Sequence, residues 1–268
     1  MQENKTAILP DGGTHADLKK KCDFLSNYAA TLLGCGATCV RIEKNAGRMA
    51  SVFGTQINLT ILPSHVLVTL WDEKHLHSYH NMIKPAKSVI NYELNTRLSK
   101  LSWEVADHGL SIDETLKRYE KITSEPTYNQ YAVMLMASVA NASFCRLFDG
   151  DAVSMGIVFA ATMAGYLIKI LLGKRHIDAR MVTFFAAFAS TLIAAQSRNI
   201  GLCGTPDVAI ATSILYLIPG IPFINCMSDL MAGHYVSAYS RFVHAALIVI
   251  CLSAGLCCGM ALMKITFF

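Results

Sequence analysis

An apolar run at residues 206–230 is interrupted by Pro219, Gly220 and Pro222. Proline provides no backbone N–H, and its ring displaces a carbonyl group one turn earlier from the helical hydrogen-bond ladder. Because hydrocarbon cannot hydrate the freed groups, a broken helix in a membrane persists only inside protein or beside a polar cavity. Broken helices of this kind form the cargo sites of many secondary transporters. The pattern therefore predicts a membrane segment of the transport type.

Polar side chains follow this break. Asn225 and Asp229 are four residues apart and share one helix face, and Ser228 lies beside them. We expect a second half-helix to begin at about Phe223, with its free N–H groups and positive dipole end directed into the break. This arrangement predicts a seat for a carboxylate of the cargo near residues 224–226.

Two side chains in this segment could transfer a proton. An aspartate inside a membrane often marks a proton relay, which makes Asp229 the first candidate. Histidine titrates near neutral pH, which makes His234 the second. The alternative is that Asp229 ends a helix at the cytoplasmic interface and that His234 is a surface residue. The predicted transport site comprises Pro219, Gly220, Pro222, Asn225, Ser228, Asp229 and His234.

Other motifs favour neither catalysis nor a cofactor. His75, His77 and His80 could share a strand face, as in some metal sites, but no Cys or Glu partner is obvious and a solvated strand is the preferred interpretation. The segment from Gly34 to Cys39 resembles the start of a dinucleotide fingerprint, but it lacks the third glycine and follows a helix. No Ser/His/Asp or Cys/His set has a supporting context. We therefore expect no metal, no cofactor and no enzymatic activity.

Charged residues divide the chain into two parts. Residues 1–125 contain 29 of them and the remaining 143 residues only 13, and the net charge of +4 needs no nucleic acid to explain it. Nine cysteines without a Cys-x-x-Cys pair indicate reduced thiols, and the first residues lack the apolar region of a secretory signal. We predict a tail (1–16), a cytoplasmic α+β domain (17–125) and an all-α transmembrane bundle (126–268).

Hydrophobic periodicity predicts the elements of both parts. In the α+β domain it predicts helices over 17–34, 38–52, 90–109 and 111–125 and strands over 57–61, 66–71 and 76–83, and Ser111 with Glu114 forms a capping box. In the bundle it predicts five spans, of which the fourth is broken at Pro219–Pro222 and the first is the weakest because of Asn129, Gln130 and Asn141. Their approximate windows are Tyr128–Leu147, Ala152–Leu172, Met181–Ser197, Pro206–Leu230 and Phe242–Met263.

The loops between the spans predict the orientation. The loop 148–151 is short and acidic, whereas the loop 173–180 is basic, which places the second loop and the N-terminal domain in the cytoplasm. Small residues recur at every fourth position, which allows close helix packing. Five spans make a thin wall for an enclosed path, so we expect homo- or hetero-oligomeric assembly with further helices. The small-residue rows are Gly156/Ala160/Ala164, Ala187/Thr191/Ala195 and Gly255/Gly259.

Three segments resemble the threonine/serine exporter (ThrE) family. The first is Leu33–Glu43 together with Arg48–Ala50 and Phe53–Gly54, and the second is Ala142–Asp151 at the exit of the first span. The third and most specific is Ile218–His234, with its pattern Pro-Gly-x-Pro, Asn, Asp and Gly-His. The resemblance extends from about Leu18 to Met263.

This resemblance implies a cytoplasmic domain fused to five spans in the bacterial inner membrane, and export of small polar metabolites driven by the proton gradient. Members with two fused membrane halves have about twice as many spans, so this chain is similar to the larger subunit of the two-subunit, YjjP-type branch, which is associated with succinate export beside a small membrane subunit. The matching membrane residues are Pro219, Gly220, Pro222, Asn225, Asp229, Gly233 and His234, and those of the soluble domain are Gly36, Arg41 and Glu43.

The resulting hypothesis is a proton-coupled exporter subunit for a carboxylate-bearing metabolite, either threonine/serine or a dicarboxylate such as succinate. Gly36, Arg41 and Glu43 are candidates for a cytoplasmic gate, although Arg41 and Glu43 could instead form a simple helix ion pair. One alternative is a membrane-anchored module that senses a metabolite without transporting it. Another is a membrane enzyme with a metal held by the three histidines.

Overall fold

The computed structural model describes residues 12–85, 90–125, 128–175, 177–201 and 204–265, with only the backbone described for residues 12–14 and 199–200. The chain divides into two compact units. The first contains the residues up to Glu125 together with Ile224–Arg241, and the second contains Pro126–Phe223 with Phe242–Phe268. The domain limits expected from the sequence, 17–125 and 126–268, remain a prediction.

The first unit contains four helices and a sheet of three strands. The sheet is antiparallel with the order β1-β2-β3, and each strand pairs with the next along the chain. The helices are α1 (Gly12–Gly34), α2 (Cys39–Val52), α3 (Tyr92–His108) and α4 (Ile112–Ser124), and the strands are β1 (Thr55–Ile61), β2 (Val66–Asp72) and β3 (Ser78–Ile83). This architecture confirms the predicted α+β character.

The core of the first unit lies between α1 and the sheet. The side chains of Val66, Val68 and Leu70 alternate along β2 and are fully buried, in one cluster with Leu25 and Tyr28 of α1. The Tyr28 hydroxyl also donates a hydrogen bond of 2.9 Å to the carbonyl oxygen of Leu98 in α3. The sheet and α3 are therefore both fixed to α1.

Local signals explain where the helices of this unit begin and end. The predicted capping box is present at α4, where Ser111 accepts a hydrogen bond from the Glu114 N–H and Glu114 accepts one from the Ser111 N–H. The helix α3 starts with Asn91 as its cap and ends at Gly109 in the left-handed conformation. These caps satisfy backbone groups that the helix itself leaves unpaired.

The second unit is helical. It contains α5 (Gln130–Leu147), α6 (Ala152–Lys174), α7 (Ala179–Ile200), α8 (Pro206–Ser213) and a 3₁₀ turn (Leu215–Leu217). Two further helices are shared, because α9 (Gly220–Met231) begins in the second unit and continues into the first, and α10 (Tyr235–Leu262) begins in the first and continues into the second.

Several of the described helices are long and apolar enough to cross a membrane. They are α6, α7 over Ala179–Arg198, and α10, with the bent pair Pro206–Leu217 and Gly220–Met231 as a fourth candidate. The two members of that pair are inclined by 58°, which confirms the predicted broken helix. The helix α5 is not among the candidates. The first of the five predicted spans, Tyr128–Leu147, therefore remains a prediction.

The loop before α6 is fixed by a carboxylate. Asp151 caps α6 by accepting a hydrogen bond of 2.8 Å from the Ser154 N–H, and it also accepts one from the Gly204 N–H ahead of α8. Hydrogen bonds from Ser154, and then from Gly204, lower the pKa of Asp151 to about 2. The ionised side chain thus joins the starts of α6 and α8.

Two glycines of α6 have opposite surroundings. A Cβ atom at Gly165 would collide with the Ser190 and Tyr216 hydroxyl oxygens and with the carbonyl oxygen of Ala186. A Cβ atom at Gly156 would meet no atom within 4 Å. Gly165 therefore allows neighbouring helices to pack closely against α6, whereas Gly156 borders open space.

This contrast gives a matched test of the packing. We expect Gly165→Ala to lower the free energy of unfolding by about 1–3 kcal/mol, because overpacking displaces neighbours that have little room to move. Gly156→Ala should be neutral or stabilising by up to about 1 kcal/mol, since alanine has the higher helix propensity. Unfolding of the two purified variants in the same detergent measures the difference. Equal stability of the two variants would contradict the packing described for α6.

Candidate functional site

The sequence-predicted residues Asn225 and Asp229 lie on one face of α9 and contact the loop between α1 and α2. The amide of Asn225 donates a hydrogen bond of 2.7 Å to the carbonyl oxygen of Gly36. One turn later, an oxygen of Asp229 accepts a hydrogen bond of 2.8 Å from the backbone N–H of Cys39. Both side chains are buried, and that of Asp229 is 0% exposed.

The carboxylate of Asp229 caps the helix α2. Thr38 precedes this helix and makes no side-chain cap hydrogen bond, so the Cys39 N–H would otherwise lack a partner. A negative charge at this position is also favoured by the helix dipole. Asp229 therefore supplies from a distant segment the cap that helices usually receive from the preceding residue.

A partly buried arginine compensates the charge of Asp229. The Nε atom of Arg241 in α10 lies 3.0 Å from the second carboxylate oxygen, and its guanidinium also donates a hydrogen bond of 2.7 Å to the carbonyl oxygen of Ala37. The thiol of Cys39 contacts the same carboxylate at 3.5 Å. Burial, and then the charge of Asp229, raises the pKa of this thiol to about 11, so the thiol keeps its proton and acts as a donor.

Three side chains thus hold three neighbouring backbone groups of one loop. Asn225 binds Gly36 O, Arg241 binds Ala37 O and Asp229 binds Cys39 N. We call this set of contacts, together with the Asp229–Arg241 pair, the loop clamp.

Glycine is required at two positions next to the loop clamp. Gly36 has φ +90°, and a Cβ atom there would approach the side chain of Ile90 to 3.2 Å. Gly233 has φ +86° and ends α9, while the following N–H, that of His234, returns to the carbonyl oxygen of Asp229. The left-handed conformation of Gly233 produces the sharp turn that brings Arg241 back towards Asp229.

Two further contacts extend the loop clamp along α10 and α2. The hydroxyl of Ser237 donates a hydrogen bond of 3.0 Å to the carbonyl oxygen of Ile61 at the end of β1. The Nε2 atom of His234 lies 3.4 Å from a carboxylate oxygen of Glu43, a pairing that is ionic only when the histidine is protonated. The predicted residues Gly36, Glu43, Asn225, Asp229 and His234 therefore belong to one cluster.

Other predicted residues lie outside this cluster. Arg41 contacts the side-chain oxygen of Asn95 at 3.3 Å, and the ion pairs among the described residues include none between Arg41 and Glu43. The helix ion pair considered from the sequence is therefore not formed, because residues two apart do not face each other on a helix. Ser228 is half-buried, and its hydroxyl makes no hydrogen bond within the described chain. Of the three histidines, His80 contacts Thr69 on the neighbouring strand.

The start of the second half-helix differs from the prediction. The helix α9 begins at Gly220, and not at about Phe223, so residues 224–226 lie inside the helix where their N–H groups join the ladder. Pro222 is in the first turn, where a missing N–H leaves no gap in the helix. The free N–H groups expected near residues 224–226 are therefore absent. In the first turn of α9 the Gly220 N–H donates to the carbonyl oxygen of Ile218, and the Phe223 N–H donates to that of Pro219.

Within the second unit, buried polar groups collect beside the break. Asn141 of α5 donates to the Thr162 hydroxyl at 3.1 Å, and Thr162 contacts the carbonyl oxygen of Ser213 at the end of α8. The hydroxyl groups of Ser190 in α7 and Tyr216 in the 3₁₀ turn lie 3.1 Å apart. Such groups are expected where the helix stops, because freed carbonyl groups need donors inside hydrocarbon.

Sequence reasoning missed Arg241, Cys39, Ser237 and Tyr216. A signal existed for Arg241, since it is a charged residue seven positions into a long helix and lies beside the start of the predicted span at Phe242. No local pattern pointed to Cys39, because its partner is 190 residues away.

The chain belongs to the protein family described as "Putative threonine/serine exporter", whose match covers residues 23–263. Membership of this family assigns a role in transport rather than catalysis, and the described helices make the chain a membrane protein. It is similar to the "Probable succinate transporter subunit YjjP" of Escherichia coli, with 28% identity over 84% of this chain and 87% of the relative. The protein of the same description from Klebsiella aerogenes is 26% identical over 87% and 90% of the two chains. No solved structure gives a significant match.

The buried pair of the loop clamp predicts a large coupling energy. Asp229→Asn should lower the free energy of unfolding by about 3–5 kcal/mol, because it breaks an ion pair whose carboxylate is fully buried and leaves the partly buried Arg241 without its counter-charge. Adding Arg241→Gln should recover part of this loss, which a double-mutant cycle on purified protein measures. As a control, Asp207→Asn at the exposed Arg198–Asp207 pair should change stability by less than about 1 kcal/mol. Additive effects of the two clamp mutations would contradict the pairing.

Proposed function

We propose that this chain is a subunit of a secondary transporter that exports small carboxylate-bearing metabolites, threonine/serine or a dicarboxylate such as succinate, across the bacterial inner membrane in exchange for protons. Its family membership and the broken helix beside the polar groups of Asn141, Thr162, Ser190 and Tyr216 support this proposal. The acidic loop before α6 and the basic loop after it support an orientation with the N-terminal domain in the cytoplasm.

The loop clamp is the part of the proposed transporter that responds to protons. A proton added to Asp229 would neutralise the carboxylate and leave the guanidinium of Arg241 without a counter-charge, which weakens the hold on the α1–α2 loop. A proton added to His234 would instead strengthen its contact with Glu43.

A second membrane subunit completes the proposed transporter. The relatives are named as subunits, and three to four candidate spans are few for an enclosed path. We propose that the partner is a small membrane protein that supplies additional spans. In this proposal the break at Pro219, Gly220 and Pro222 belongs to the transport path. The polar residues Asn225, Ser228, Asp229 and His234 contribute to transport, and Asp229 or His234 carries the proton.

Transport by reconstituted protein tests this proposal. Liposomes that contain the chain and its membrane partner should exchange labelled succinate or serine, and an imposed proton gradient should drive accumulation. Asp229→Asn should abolish the gradient-driven flux, whereas Asp207→Asn should leave it intact, because only the first substitution removes a buried charge.

Membrane insertion of each variant is the control, measured by its amount in washed vesicles. His234→Gln provides a second variant, since this half-buried side chain can change without unpairing a buried charge. It should shift the pH dependence of flux. Undiminished and equally pH-dependent efflux from Asp229→Asn would refute the coupling role, and no flux of either cargo by the two wild-type subunits would refute the transport function.

A further inference from the structure

One cation of the second unit lies inside a candidate span. Lys169 is in α6, five residues before the helix ends at Lys174. A charged side chain within a membrane helix is unfavourable and usually faces a bundle interior or a water-filled cavity. The helix face on which Lys169 lies therefore distinguishes two cases. In one the lysine has a functional role, and in the other its side chain simply extends to the membrane interface.

Lys169 lies on the packed face of α6. Thr162, Gly165 and Lys169 follow one another at spacings of three and four residues, which places them on one side of the helix. Thr162 is 0% exposed, and Gly165 packs directly against Ser190 and Tyr216. At Lys169 the same face becomes exposed. The packed face thus becomes accessible at this turn, and Lys169 is the accessible residue that follows Gly165 on it.

Lys169 lies beside a pair of tyrosine rings. Its Nζ atom lies 5.1 Å from the ring centre of Tyr166, and that ring is 5.7 Å from the ring of Tyr216. The Tyr216 hydroxyl contacts Ser190 at 3.1 Å. A positive charge over an aromatic face is stabilised by about 0.5–2 kcal/mol, and this contact leaves the ammonium hydrogens available for an anion.

Two arginines near the ends of α7 are neutralised by carboxylates. Arg180 pairs with Asp178 at 2.8 Å at the start of α7, and Arg198 pairs with Asp207 at 2.7 Å near its end. The salt bridges of the described chain include none with Lys169. Lys169 is therefore a cation on a packed helix face, beside the polar groups at the helix break, without a carboxylate from the described residues.

We propose that Lys169 binds a carboxylate of the transported metabolite where the packed α6 face becomes accessible, an inference that rests on the proposed transport function. The Tyr216 and Ser190 hydroxyls lie one turn earlier on the same face, against Gly165, and can hydrogen-bond a second polar group of the same molecule. In the proposed orientation α6 ends in the cytoplasm, so Lys169 is on the side from which exported cargo enters. The residue determines specificity for anionic cargo.

The test compares two lysines of the same helix. Lys174 lies at the end of α6, with its Nζ atom 5.9 Å from the ring centre of Tyr131, and it serves as the matched control. Lys169→Gln should raise the KM for succinate counterflow at least tenfold without lowering the amount of protein in the membrane. Lys169→Arg should restore part of the affinity, and Lys174→Gln should leave the KM unchanged.

Direct binding separates this inference from the proposed function. Calorimetry with succinate and serine on the purified chain with its membrane partner should show binding to wild type and to Lys174→Gln, and much weaker binding to Lys169→Gln. If the wild-type complex transports cargo and Lys169→Gln has the same KM and the same binding affinity as wild type, the role of Lys169 is overturned and the transport function still stands. If the wild-type complex binds succinate, Lys169→Gln does not, and the wild-type complex shows no flux, the result supports the binding site and refutes the transport function.

Discussion

The buried carboxylate of Asp229 constrains the whole of the first unit. A carboxylate that is removed from water is strongly unfavourable unless a counter-charge and hydrogen-bond donors replace its hydration. Here Arg241 supplies the charge, and the Cys39 N–H and thiol supply the donors. These groups come from α10 and from the start of α2, so the turn at Gly233 and the α1–α2 loop must both adopt the conformations that bring them to Asp229.

A second constraint operates in the membrane unit. The regular helix α8 ends at Ser213, and Pro219 separates the following 3₁₀ turn from α9, so the groups that this break frees must find partners without water. The hydroxyl groups of Thr162, Ser190 and Tyr216 collect beside it, and Gly165 is small enough to let the last two approach α6. In the proposed transporter, the polar groups that stabilise the break are also the groups that a polar cargo would contact.

The sequence predicted those features that depend on local periodicity. Alternation along residues 66–71 predicted the central strand, and the spacing of Asn225 and Asp229 predicted their common face on α9. The proline pattern predicted the break, although the second half-helix begins three residues earlier than expected because Pro222 is tolerated in a first helical turn. Asn141 weakened the first predicted span, and the structure shows its amide directed to Thr162 of the neighbouring helix.

Long-range pairing was not predictable in the same way. The contact of Asp229 with Cys39 joins residues 190 positions apart, and no periodicity in either segment specifies the other. The sequence offered a proton carrier or an ordinary helix end for Asp229, and it did not predict that this carboxylate is buried and paired with Arg241 and Cys39. Exchange of the Cys39 backbone amide hydrogen for deuterium, in the full chain in lipid nanodiscs, tests this arrangement most directly. We predict that this amide exchanges as slowly as the amides of the buried α1 core around Leu25, and that Asp229→Ala accelerates its exchange. Exchange as fast as in the exposed loop at Ser64 would contradict the arrangement.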